Sequence, residues 1–119
     1  MSIVTVKWPL YQQALEIHQR RRRRRGEASD YGNLGSLYLK KGDLDAAEEM
    51  LTRSMTIFDA LGVRSGVANA YSTLGSLEKD RGDLPKAREL WTKGRDLYDK
   101  IGMTSEAELI QSQLNELDQ

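Results

Sequence analysis

From residue 26 onward, apolar and small residues return at steps of three and four, the spacing that puts side chains on one face of an α-helix. Ala28, Tyr31, Leu34, Gly35 and Tyr38 make the first such stripe. Gly42-Asp43 closes it and opens the next. Glycine suits the left-handed position that ends a helix, and aspartate accepts hydrogen bonds from the free N–H groups of the helix that follows. The second stripe is Leu44, Ala47, Met50, Leu51, Met55, Phe58 and Leu61, ended by Gly62. Gly82-Asp83 introduces another run, Leu84, Ala87, Leu90, Trp91, Leu97 and Ile101, ended by Gly102. Pro85 falls in its first turn, where a missing N–H costs little.

The two halves are copies of one another. Shifted by 40 residues, Gly26–Gly62 aligns with Gly66–Gly102, and 15 of the 37 positions are identical. The matches include Tyr31/Tyr71, Leu34/Leu74, Gly35/Gly75, Gly42/Gly82, Asp43/Asp83 and Ala47/Ala87. Chance does not keep glycines in register in this way, so the chain is a repeat array. Each unit reads as two helices. A mid-helix glycine costs about 0.5–1 kcal/mol relative to alanine. Its recurrence at Gly35 and Gly75 therefore points to close approach of the paired helices, with Ala47 and Ala87 as small counterparts.

The ends read as half units. Pro9-Leu10-Tyr11 with Ala14, Leu15 and Ile17 aligns with the second helix of a unit, and residues 104–117 align with a first helix whose apolar face is Leu109, Ile110, Leu114 and Leu117. Residues 1–119 are thus expected to form one domain. It divides into a half repeat at 9–25, full repeats at 26–65 and 66–103, and a capping helix at 104–117. The expectation is an all-α chain of about six antiparallel helices.

The motif Tyr31-x2-Leu34-Gly35-x2-Tyr38 followed by Ala47-x3-Leu51 resembles the tetratricopeptide repeat, and Tyr71-x2-Leu74-Gly75 followed by Ala87-x3-Trp91 repeats it. The period is 40 rather than the family's usual 34, the proline that commonly closes a unit is missing, and Glu78 replaces the aromatic found at Tyr38. The extra residues are expected to lengthen the second helix and its loop. The resemblance implies a right-handed α-α superhelix. It also implies a concave groove, lined by the first helix of each pair, that binds a peptide or partner protein.

Composition narrows the chemistry. The chain has 18 Lys+Arg against 18 Asp+Glu, but six of the basic residues form the block Arg20–Arg25. Outside that block the balance is 12 basic to 18 acidic, a mildly acidic body with one basic spot. There is no cysteine, so disulfides, thiolate metal sites and a cysteine nucleophile are excluded. The apolar stretch Ile3–Val6 is too short for a signal peptide or a membrane span, and a cytoplasmic location is expected.

The groove implied by the resemblance would be lined by residues off the Tyr31/Leu34/Tyr38 stripe. On the first unit these are Ser29, Gly32, Asn33, Ser36, Leu39 and Lys40; on the second, Asn69, Ser72, Thr73, Ser76, Lys79 and Asp80. The last helix adds Leu109, Ser112, Gln113 and Glu116. This lining is small, neutral and rich in hydroxyls. It can hydrogen-bond an extended backbone or accept a packed helix, and it lacks the fixed cations of family members that hold a chaperone's acidic C-terminal tail.

No catalytic arrangement, metal set or cofactor motif stands out. His18 has no second histidine or cysteine to join it. Asp43 and Asp45 read as a cap and a first-turn acid. Gly32-Asn33-Leu34-Gly35-Ser36 lies mid-helix and lacks the ending of a phosphate loop. Trp8 and Trp91 read as packing residues. The arginine block is expected at the C-terminal end of the first helix, partly frayed by its own repulsion, as a solvated basic end. The function expected is that of a non-catalytic interaction module. The alternatives are a homodimer formed through the unpaired residues Trp8, Leu10, Tyr11 and Leu15, or an anionic or nucleic-acid contact at Arg20–Arg25.

Overall fold

A computed structural model of the chain describes residues 3–119, with side chains described at position 13 and from 15 onward. The elements are α1 (Ile3–Lys41), α2 (Leu44–Leu61), α3 (Arg64–Arg81), α4 (Leu84–Lys100) and α5 (Thr104–Leu117). Each packs antiparallel on the next in chain order, so the helices form a solenoid.

One turn type recurs between the helices. Gly42, Gly62, Gly82 and Gly102 all have φ between 72° and 89°, and they stand twenty residues apart. At each turn the N–H of the residue after the glycine reaches back five positions: Asp43 to the Tyr38 carbonyl, Val63 to Phe58, Asp83 to Glu78 and Met103 to Tyr98. This closes the last turn of each helix in the paired-bond manner that a left-handed glycine permits. Asp43 and Asp83 then accept from the N–H groups of Ala46 and Lys86, as a helix-capping aspartate should.

The cadence breaks once. Counting back twenty from Gly42 gives position 22, which is an arginine. A side chain there would meet the steric penalty of the left-handed region, about 1–2 kcal/mol. The chain does not turn, and α1 runs 39 residues without interruption. Among the described residues the helix count is therefore five and not the expected six or so, because the boundary expected at Arg25/Gly26 is absent. The arginine block correspondingly lies in the middle of α1, fully helical, and not at a frayed C-terminal end.

The long α1 leaves apolar residues uncovered. Leu34 and Leu37 are 41% and 46% exposed, whereas their period-mates Leu74 and Leu77 are 7% and 0% exposed. On α3 that face packs against α2; on α1, among the described residues, no other helix covers it. At the other end α5 buries Ala107, Ile110 and Leu114 but turns Leu109 outward, correcting the expected face. Where α1 and α3 present Ala28/Ala68, Tyr31/Tyr71 and Gly35/Gly75 to a paired helix, α5 carries Glu108, Gln111 and Asn115. Gln111 is occupied instead by Arg95 and Asn115, so that face of α5 is polar.

Glu78 is buried where α1 has Tyr38. Its carboxylate receives Arg81 at 3.0 Å, and the same guanidinium reaches Asp45 and Glu48 of α2 at 2.8 Å each. Arg81 is held above its ordinary pKa, chiefly by the hydrogen bond to Glu48.

The paired helices cross closely at glycine. A Cβ on Gly35 would lie 2.6 Å from Leu51 Cγ and 3.3 Å from the Ala47 carbonyl oxygen; one on Gly75 would lie 2.3 Å from the Trp91 ring. Close approach thus holds at both sites, though the neighbour at Gly75 is Trp91, whose indole lies against it, and not Ala87. Gly35→Leu overpacks this crossing, by about 1–3 kcal/mol. It is expected to lower the thermal midpoint by about 5 °C or more. Gly26→Leu, at a site with nothing within 4 Å, is the matched control and should show no such drop in the same calorimetric scan.

Candidate functional site

The first helices of the two units, α1 and α3, stand on either side of a concave hollow of about 360 Å³. Four of the expected groove residues line it from α1: Ser29, Gly32, Asn33 and Ser36. Three line it from α3: Asn69, Ser72 and Thr73. The remainder do not. Leu39 is partly buried against the core cluster that holds Leu51 and Leu77, Lys40, Lys79 and Asp80 are exposed, and Ser76 donates to the Ser72 carbonyl. Leu109, Ser112, Gln113 and Glu116 of α5 lie away from the hollow, with Ser112 bonded to the Glu108 carbonyl of its own helix.

The floor comes from the second helices, and sequence reasoning missed it. Leu51, Ser54 and Phe58 of α2 lie beneath the opening, and Tyr98 of α4 closes one side, with Gly66 and Ala70 of α3 between them. A signal was present in the repeat itself. Phe58 and Tyr98 are 40 residues apart, so the same position of each unit supplies an aromatic to the concave side. Gly66 lies flat against Phe58, where a Cβ would come within 2.3 Å of the ring.

Several polar groups in and around the lining are already engaged. Ser54 donates to the Ala28 carbonyl at 2.7 Å, Thr73 to the Asn69 carbonyl at 3.0 Å, and the Trp91 indole N–H to the Ser72 carbonyl at 2.9 Å. The Tyr98 hydroxyl donates to Asn69 Oδ1. Burial, and secondarily the charge of Glu106, pushes the Tyr98 phenol above its ordinary pKa, which keeps it a neutral donor. With Oδ1 taken, Asn69 has its amide N–H groups left to offer the groove. Asn33 is exposed and bonded to no side chain among the described residues. The wall therefore presents amide donors at Asn33 and Asn69, hydroxyls at Ser29 and Ser36, and no charge.

Among the described residues no group of three His, Asp or Glu side chains could hold a metal ion. His18 is exposed on α1. Trp91 is buried, a packing residue as expected, while the side chains of Trp8, Leu10 and Tyr11 lie outside the described residues. Leu15, the remaining self-association candidate, is 57% exposed. Among the described residues no helix is long and apolar enough to cross a membrane.

The two crossings that shape the groove use a reciprocal pair. In the first unit Gly32 meets Ser54, with a Cβ placed 3.2 Å from its Oγ; in the second, the period-mates are Ser72 and Gly94, and a Cβ on Gly94 would lie 3.4 Å from the Ser72 backbone nitrogen. Each crossing holds one glycine and one serine, since there is room for one side chain. Gly32→Ser alone is expected to lower stability by about 1–2 kcal/mol from overpacking. Adding Ser54→Gly should recover most of that loss in urea unfolding, a coupling that independent sites would not give.

Residues 9–60 match the family model described as tetratricopeptide repeat. That span takes in most of α1 and nearly all of α2, including the Gly35/Leu51 crossing and the turn at Gly42. A search of the curated proteins found no match to the chain.

Proposed function

Because the chain belongs to the tetratricopeptide repeat family, whose members generally mediate protein–protein interaction, we propose that it is a non-catalytic module whose α1/α3 groove binds a peptide or partner helix. The observation that carries this reading is the convergence of seven small uncharged residues from α1 and α3 on one concave surface over Leu51 and Phe58. The helices that bear them are held by buried crossings, so the groove exists before a partner arrives and little ordering is needed on binding. The uncharged lining favours hydrogen bonds to a backbone over capture of an isolated charged side chain. A photoactivatable aromatic residue introduced at Asn33 should crosslink a partner protein in extracts of the native source. The same residue at Glu89, on the side of α4 turned away from α3, should not. Equal crosslinking from the two positions removes the groove as the binding surface.

A second reading, assembly of two copies through the N-terminal half of α1, draws on the exposure of Leu15 and Ile17 (57% and 53%). A second copy would give these side chains apolar cover through a two-fold contact. Sedimentation equilibrium decides it: a mass above the 13.5 kDa of one chain is expected at high micromolar concentration, and a single-chain mass there ends the idea.

A further inference from the structure

The stripe of α1 that lines the groove continues past the groove's end. Ser36, Gly32, Ser29, Arg25, Arg22 and His18 follow one another at steps of three and four residues. On an uninterrupted helix they share one face. Arg25 and Arg22, with Arg21 beside them, line a second hollow of about 410 Å³ against Leu61 and Val63 of the α2–α3 turn. Phe58 and Gly66, on either side of that turn, line the groove, so the two hollows border the same turn.

The arginine block is thereby split in two. Arg24 faces away, pairs with Glu27 at 2.7 Å and borders a separate hollow beside Tyr31. Arg21, Arg22 and Arg25 form no ion pair among the described residues. Like charges one turn apart on a helix raise each other's energy, and an anion laid across them relieves it. Guanidinium groups hold carboxylates in a bidentate fork. The block sits on a body that carries 12 basic and 18 acidic residues elsewhere. Such a body repels a polyanion longer than the patch.

We propose that the groove takes a short peptide of two chemistries: an extended segment of small neutral residues along the serine and asparagine lining, continued by an acidic segment on Arg21, Arg22 and Arg25. This deepens, and rests on, the reading of the groove given above. Ser36 to Ser29 and Ser29 to Arg22 are each seven positions, or about 10 Å at the helical rise. An extended chain covers that in about three residues. The ligand is therefore a stretch of six to eight residues, acidic at one end, and its length excludes a requirement for a folded partner domain.

The test is fluorescence anisotropy on the full chain with the labelled octapeptide Glu-Glu-Glu-Gly-Ser-Ala-Gly-Ser, its reversed order, and a version with Gln in place of each Glu. At about 50 mM salt one acidic order should bind about tenfold or more tighter than the Gln version, and at about 300 mM salt most of that advantage should vanish, as screening demands. Arg22→Gln with Arg25→Gln should erase the advantage, while Arg20→Gln with Arg23→Gln, the same charge removed from the other side of α1, should leave it. Asn33→Trp should weaken the acidic and the Gln peptides alike. Equal loss from both arginine pairs means undirected charge attraction and overturns the proposal. Tight binding of the Gln peptide with no acidic advantage keeps the groove and discards its acidic extension. Acidic binding untouched by Asn33→Trp separates the arginines from the groove and sinks the joint site. Failure of all three peptides overturns the proposal of the joint site. A single-stranded oligouridylate of equal length that displaces the acidic peptide replaces the proposed partner class.

Discussion

Two helices can lie close together only where one of them lacks a side chain, and the rest of this molecule depends on that constraint. Gly35 lets Leu51 of α2 reach the α1 backbone, and Gly75 does the same for the Trp91 indole of α4. The close approach brings Ser54 within 2.7 Å of the Ala28 carbonyl and the Trp91 N–H within 2.9 Å of the Ser72 carbonyl. Each bond satisfies a polar group that would otherwise be buried at a cost of about 1–3 kcal/mol. Core packing and groove geometry are thus set at the same crossings, because the residues beside the glycines on α1 and α3 form the concave wall.

A second constraint governs where the helices stop. Four glycines at positive φ, spaced by twenty, fold the chain back on itself, and position 22 lacks the fifth. The same omission explains three observations together: the length of α1, the exposure of Leu34 and Leu37, and the placement of arginines in line with the groove. A glycine there would have put the block into a turn and broken the stripe from His18 to Ser36.

Charge is distributed to match. The buried Glu78 is tolerated because Arg81 binds it and also ties α3 to Asp45 and Glu48 of α2, with Lys86 3.8 Å away. This network replaces the aromatic packing of Tyr38 in the first unit. A buried carboxylate with such partners is compatible with the fold, whereas one stripped of Arg81 would be left with the costly burial of a charge. The cations over the aromatic rings also repeat, Arg53 above Tyr31 and Lys93 above Tyr71. The repeat therefore extends to the outer surface.

Much of this was legible in the order of residues. Periodicity, the glycine-aspartate turns and the 40-residue self-match determine the helices from Gly26 onward and their pairing, because these follow from local rules: the helical repeat, the left-handed glycine and the capping carboxylate. Seven of the residues expected on α1 and α3 line the hollow, and they fall off the core stripe of helices whose phase is known. What required the tertiary structure was every property that depends on a neighbour distant in sequence. The absence of a turn at Arg22–Gly26 was one. The exposure of Leu34, Leu37 and Leu109 was another, since apolar character does not say whether a covering helix exists. The floor of Leu51, Ser54 and Phe58 and the wall of Tyr98 were set by how deeply α2 and α4 sink between their partners. That depth is decided by the void beside a glycine on another helix, a quantity that no single helix carries in its own sequence.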